Sequence, residues 1–592
     1  MKKIIKDYVY FIRKSMELDK KYFLYFFGDV LFQIISPFSL VVFPRYILNE
    51  ISTERRVNYI VIGIICMVAI DIIINSIVQI LSPLLNNRIH YLRNKMSIEF
   101  SNKVLDLDYE KIEDPKIIDM KQKAIEFIYG SDGLENVTFS AERILISFGQ
   151  IIGYGYILSH CNIVIIMLII FCAFLTAKWH GKAEEYSYNA NNEVLRENRQ
   201  GSYLDFVCSD YEHYKDIRIF ELKNWILEKK NYYNDIKLKV FSKTSKQFIK
   251  LGLITTVMNN ILSILYYSYL IFLLFVGRIY IGDFTMYLSS ITNFSATING
   301  LSIAFSRIVQ ADLRLSNYIS FMNLENRMNI LNKDKESIKF DKNFTLEFRN
   351  VSFKYPYSEE WSLKNITVAI KSGEKISIVG ENGAGKTTFI KLLMRLYDPT
   401  EGGIYYNNID IRDIEYLDYI KIFSSVFQDY HLFPFSIKEN IVFDQSENIS
   451  DKIVEKLLFE VGLKDKLQGL PRGIHTGLSK QFDENGTDLS GGESQKIAIA
   501  RAIFRDASVI ILDEPTSALD PISEYEIYQK YNEMVSGKTS IFISHRMAST
   551  RLSDKIIVLN NGELVEYGTH NMLMKQKGNY CKMYELQKEY YE

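Results

Sequence analysis

Residues 380–388, Gly380-Glu381-Asn382-Gly383-Ala384-Gly385-Lys386-Thr387-Thr388, have the types and spacing of a phosphate cradle. Glycines at the first and sixth places let the backbone curl until its N–H groups face one point, where they hold an anion. A lysine directly after the second glycine reaches the β- and γ-phosphates of a nucleotide. The hydroxyl of Thr387 suits Mg²⁺, and that of Thr388 suits the α-phosphate. A second set lies further along, where Val509-Ile510-Ile511-Leu512 runs into Asp513 and Glu514. A carboxylate at the end of a buried strand stands beside the phosphate loop. Asp513 can therefore hold the metal, directly or through water, and Glu514 can orient and deprotonate an attacking water. A third set, Ser490-Gly491-Gly492-Glu493, opens a helix with a hydroxyl and bare amides, which is again an anion site. Two phosphate sites in one chain make sense only if they meet on one nucleotide.

These residues need a particular scaffold. The cradle follows the β-branched run 375–379 and leads into the helical stretch FIKLLMRL. Further apolar runs, SVIIL at 508–512 and TSIFIS at 539–544, alternate with helical stretches. That order predicts a parallel sheet covered by helices from about residue 345 onward. The first half is different. Six stretches are long and apolar enough for membrane spans: 22–48, 59–82, 139–159, 162–180, 251–276 and 284–308. The first, third and sixth carry more polar residues than the others. Short links join them in pairs, while 83–138 and 181–250 form long, charged, helix-patterned connections rich in Lys and Arg. Basic residues concentrate on the cytoplasmic side, so both termini and both long loops are expected there.

The third set, read as LSGGE, resembles the LSGGQ signature of ABC exporter half-transporters, with Glu493 in the place of the usual glutamine. It stands 23 residues before Asp513, the close spacing of that family. The resemblance implies roles for other residues in the same order. Tyr355 matches the aromatic that stacks on adenine, and Gln428 the catalytic and metal-contacting Q-loop glutamine. Asp520 matches the D-loop aspartate, His545 the switch histidine near the γ-phosphate, and Glu484 the X-loop glutamate. The family's ATP then lies between the Lys386 loop of one chain and the Ser490 loop of another. The implied fold class is a six-helix α-helical transmembrane domain followed by an α/β P-loop ATPase, the ABC cassette. The expected division is 1–325 for the transmembrane domain, 326–344 for a charged linker and 345–592 for the cassette. The stretches 108–124 and 214–222 stand where the coupling helices of such exporters lie.

The implied function is ATP-driven export across the cell membrane by alternating access in a dimer, with ATP and Mg²⁺ as ligands. An importer of the same fold and a regulatory membrane protein remain alternatives. A soluble ABC ATPase acting on DNA or ribosomes conflicts with the spans, and the net charge of −1 argues against a nucleic-acid partner. Glu514, His545 and Ser490-Gly491-Gly492 are all present, which favours two identical chains over a heterodimer with one degraded site. The five cysteines form no C-x-x-C pair, so neither a disulfide framework nor a zinc site is expected. Neither a cleaved signal peptide nor a cargo-cleaving protease domain is expected from the N-terminal residues. The fifth and sixth spans contain Asn259, Asn260, Tyr266, Tyr267, Tyr269, Tyr287, Asn293 and Asn299, and the first two contain Asp29 and Asp71. For most of the amides and tyrosines helix packing suffices. The two acids are expected to pair with a basic residue or to face a cavity. Such a cavity suits a neutral or cationic amphipathic cargo, a modified peptide or a hydrophobic drug, with a lipid as the alternative.

Overall fold

The computed structural model describes residues 2–130, 133–210, 213–326, 328, 343–356, 358–443, 448–480, 482–513, 537–543 and 547–591. Two compact units form. One joins Met1–Leu105 to Pro115–Leu324, and the other joins Asp106–Asp114 to Glu325–Glu592.

The first unit is helical. It runs through α1 (Lys2–Leu18), α2 (Lys20–Ser52), α3 (Val57–Leu105), α5 (Pro115–Tyr129), α6 (Leu134–Ser159), α7 (Ile163–Glu193), α8 (Leu195–Ser209), α9 (Tyr214–Ile219), α10 (Lys223–Phe275) and α11 (Ile281–Met322); α4 (Tyr109–Ile112) belongs to the second unit. Among the described residues, four helical segments are long and apolar enough to cross a membrane: Lys20–Ser52, Val57–Leu105, Ile163–Ser187 and Lys223–Phe275. The third and sixth stretches of the sequence reading lie on α6 and α11, which fall outside that set. The reason is composition. These helices carry Glu142 and Arg143, and Asp283 and Arg307, on faces that pack against each other or against α2. Helices that meet protein on most sides need less apolar surface than helices that meet lipid.

Small residues and polar ties hold this bundle. Gly149 and Gly153 on α6, spaced as G-x-x-x-G, receive Ile34 and Phe38 of α2. A Cβ at Gly153 would lie 2.3 Å from the Phe38 ring. The Arg45 guanidinium meets Asp283 at 2.6 Å, and the Gly282 N–H donates to Asn49 at 2.9 Å, tying α2 to α11. Asn162 donates to Tyr269 at 2.9 Å and Thr176 to Asn299 at 3.5 Å, so these two polar residues of the late spans serve contacts between helices.

The second unit is α/β. A four-stranded antiparallel sheet has the order β2-β1-β4-β5, from β1 (Thr345–Phe353), β2 (Leu363–Lys371), β4 (Glu401–Tyr406) and β5 (Ile409–Asp410). A six-stranded sheet has the order β10-β9-β3-β8-β7-β6. Its strands are β3 (Lys375–Val379), β6 (Phe423–Val426), β7 (Val509–Asp513), β8 (Thr539–Ile543), β9 (Lys555–Asn560) and β10 (Glu563–Gly568). β6, β7, β8, β3 and β9 run parallel, and β10 closes the edge antiparallel. The two sheets, α12 (Lys386–Leu393) and α13 (Tyr416–Lys421) share one core, in which Phe348 stacks on Phe389 at 4.2 Å. A second core gathers α14 (Ile437–Val442), α15 (Asp451–Glu460), α16 (Lys464–Gln468) and α17 (Gly491–Phe504).

Candidate active site

β3 is buried along most of its length, and the chain leaves its carboxyl end in a loop that turns into α12. Gly385 caps that helix at φ +98°, a left-handed conformation that costs a non-glycine residue about 1–2 kcal/mol. A Cβ there would also stand 2.6 Å from Leu363 and 2.8 Å from the Ser362 carbonyl. The cradle therefore requires glycine for both conformation and space. The Lys386 ammonium, on a buried side chain, donates to the carbonyls of Gly380 at 2.9 Å and Glu381 at 3.0 Å. It lies folded over the loop that it would share with a phosphate.

β7 lies one strand away from β3 in the sheet, with β8 between them. Its last residue, Asp513, is buried, and the Thr387 hydroxyl donates to its carboxylate at 3.4 Å. The topology thus unites two motifs that are 126 residues apart in sequence. A hydroxyl and a carboxylate are hard oxygen donors, the set that Mg²⁺ takes. Gln428 follows β6 and is exposed. Glu514, Asp520 and His545 lie outside the described residues.

Tyr355 is half-buried beside the cradle. Its hydroxyl meets that of Thr388 at 3.1 Å, and its ring stands edge-on to Phe353 and Tyr397. Lys391, one turn beyond the cradle on α12, sets its ammonium 5.7 Å from the ring centres of Tyr355 and Tyr397, and 5.3 Å from that of Tyr109. The same ammonium bonds Glu113 at 3.2 Å, and the Tyr397 hydroxyl donates to the other carboxylate oxygen of Glu113. Tyr109 and Glu113 come from 106–114, the first-loop segment that belongs to this unit. Burial alone would raise the Glu113 carboxyl. Hydrogen bonds from Tyr397, Tyr109 and Lys391 outweigh it and hold the carboxyl below the usual carboxylate range. Sequence reading placed Tyr109 and Glu113 in a coupling stretch. It missed Lys391 and Tyr397, which belong to no motif.

Ser490 caps α17 by accepting from the Glu493 N–H, and the Glu493 carboxylate accepts from the Ser490 N–H at 2.8 Å. This reciprocal box is the local reason that a helix starts here. Lys466 on α16 pairs with Glu493 at 3.3 Å. Burial pushes the Glu493 carboxyl up; the Ser490 N–H, the Lys466 ammonium and the Ser490 hydroxyl together hold it below the ordinary range. Glu484 is exposed in the loop before the signature.

In the membrane half both acids have polar partners. Asp29 accepts from the Gln33 amide at 2.6 Å and from the Ser82 hydroxyl at 2.7 Å. Asp71 accepts from Ser39 at 3.4 Å. The same Gln33 amide also donates to Glu142 of α6 at 2.9 Å, a buried acid that sequence reading passed over. The signal was available, since Glu142-Arg143 interrupts the third apolar stretch.

Residues 363–517 match the family model described as ABC transporter. The fold of the chain is that of an ABC exporter. A solved structure titled "Structure of a bacterial Atm1-family ABC exporter with ATP bound" superposes with a TM-score of 0.79 over 96% of this chain and 99% of that one, at 19% identity. Among curated relatives, the subtilin transport ATP-binding protein SpaT of Bacillus subtilis is 29% identical over 93% of this chain and 89% of its own length. The nisin transport ATP-binding protein NisT of Lactococcus lactis is 26% identical over 97% and 95%. An ATP-dependent lipid A-core flippase of Wigglesworthia glossinidia is 29% identical over 66% of each chain. The half-transporter binds nucleotide, couples ATP hydrolysis to transport, and sits in a membrane through several spans.

Proposed function

We propose that this half-transporter exports an amphipathic peptide from the cytoplasm, working as a homodimer with both termini and the cassette on the cytoplasmic side. The observation that carries the peptide reading is coverage. The relatives named for subtilin and nisin transport align over nearly the whole chain, membrane half included, whereas the flippase of W. glossinidia aligns over two thirds. Lipid export is the second reading, favoured by that partial match. The working division is 1–325, 326–344 and 345–592, with 106–114 seated on the cassette.

In this reading the amides of 380–385, together with Lys386 and Thr388, hold the phosphates, and Tyr355 stacks on adenine. Thr387 and Asp513, with Gln428, would hold Mg²⁺, which when bound offsets charge on the phosphates. Glu514 orients and deprotonates the attacking water, and His545 contacts the γ-phosphate. Ser490, Gly491 and Gly492 of the second copy, with Glu493 capping their helix, complete the nucleotide site, and Asp520 borders it. ATP binds the closed dimer better than the open one and so shifts the equilibrium towards closure. Inside-out vesicles test the direction: external ATP should drive uptake of an amphipathic peptide. Glu514→Gln should still bind ATP, hydrolyse it at least 100-fold more slowly, and transport nothing. Uptake by right-side-out vesicles alone would make the protein an importer.

A further inference from the structure

The helical unit contains a cavity of about 410 Å³ between α2, α6 and α11, within the size range of ligand pockets. Its polar lining is Gln33, Ser140, Glu142, Arg143 and Arg307, and the rest is largely apolar. Glu142 is engaged, since its carboxylate takes the Gln33 amide. Arg143 acts on that carboxylate through charge alone. Ser140 is only 3% exposed, yet its hydroxyl has no hydrogen-bond partner among the described residues. The Arg143 guanidinium lies across Gly300 of α11, where a Cβ would stand 3.6 Å from Nη2. Arg143 and Arg307 are both exposed, and both line the cavity.

Two guanidinium groups lining one cavity favour an anion between them, and an orphaned buried hydroxyl carries a cost. One occupant satisfies all three. Guanidinium groups bind a carboxylate in a planar, bidentate fork, and a serine hydroxyl adds one more donor. We infer that this cavity is a carboxylate-recognition pocket for the cargo: Arg143, Arg307 and Ser140 take the carboxylate of an amphipathic peptide while the apolar wall takes the adjoining side chains. This inference rests on the export reading and reverses the sign of cargo charge expected from Asp29 and Asp71, neither of which lines the cavity.

The test uses the full chain in nanodiscs of neutral lipid without nucleotide. The probe is a hydrophobic decapeptide, fluorophore-labelled at its N-terminus, in two forms: free carboxylate and carboxamide. Fluorescence anisotropy should show the carboxylate form binding at least tenfold more tightly. Arg143→Gln and Arg307→Gln should cut that preference below threefold, while Arg143→Lys, which keeps the charge, should retain most of it. Equal binding of the two forms by the wild type overturns the proposal. So does displacement of the peptide by a phosphatidic acid dopant, because the pocket then serves a lipid phosphate. Vesicle uptake separates the two readings. ATP-driven uptake of both forms at equal rates removes the pocket and leaves export standing. Carboxylate-selective binding with no ATP-driven uptake of either form removes export and leaves the pocket.

Discussion

Gly385 shows how much one missing side chain decides. Its left-handed φ, and the 2.6 Å that would separate a Cβ there from Leu363, leave no room for even a methyl group. Gly385→Ala should lower nucleotide affinity at least tenfold, read by titration with a fluorescent ATP analogue; unchanged affinity would mean that the loop tolerates another path. Glu493 is a gentler case. Glutamine keeps both halves of the capping box but loses the charge opposite Lys466, while alanine loses the box. Glu493→Gln should shift stability by less than about 0.5 kcal/mol and Glu493→Ala by about 1 kcal/mol, measured by thermal unfolding in nanodiscs. The cradle and the signature were legible in sequence because a local run of backbone and hydroxyl groups makes each of them. Lys391 and Tyr397 were not. They matter only through neighbours from another part of the chain, and a lone lysine or tyrosine carries no such mark.

Membrane helices report their surroundings through composition. The first parts of α3 and α7 are apolar almost throughout and read directly as spans. α6 and α11 mix charges, amides and small residues, because their faces meet one another and α2. The G-x-x-x-G pair makes this concrete. Ile34 and Phe38 fill the space over Gly149 and Gly153, while nothing lies within 4 Å of the Cβ position at Gly155. Gly153→Leu should therefore force α2 and α6 apart and destabilise the fold by at least about 1–3 kcal/mol, as overpacking does. Gly155→Leu should be silent. Thermal unfolding of the two variants side by side distinguishes a packing contact from a general intolerance of bulk, and equal effects would count against the contact.

Across the whole chain, the first-loop segment is the part of the membrane half's sequence that the cassette claims. Glu113 receives Lys391 and Tyr397, and Lys391 also faces Tyr355 beside the cradle, so the nucleotide pocket and the loop share one cation. Glu113→Ala should lower peptide-stimulated ATPase more than basal ATPase, and pairing Glu113→Lys with Lys391→Glu should recover part of the difference. Equal loss of both activities would make the contact structural only. The pH dependence follows from the depressed Glu113 carboxyl. Its stabilising contacts are fully present above the unperturbed value of 4.5 and fade as pH falls through the lower folded value. The melting-temperature gap between wild type and Glu113→Gln should hold between pH 6 and 8 and close towards pH 4.

The attachment of 106–114 to the cassette also has a consequence for synthesis. These residues leave the ribosome 283 residues before Tyr397 (397 − 114), and at about 5–20 residues per second that interval is roughly 15–60 s. For that time Tyr109 and Glu113 exist without the groups that hold them. A transporter caught half-made exposes an acidic, aromatic loop tip that the finished molecule covers, and this tip is a surface by which a chaperone or protease could tell the two apart.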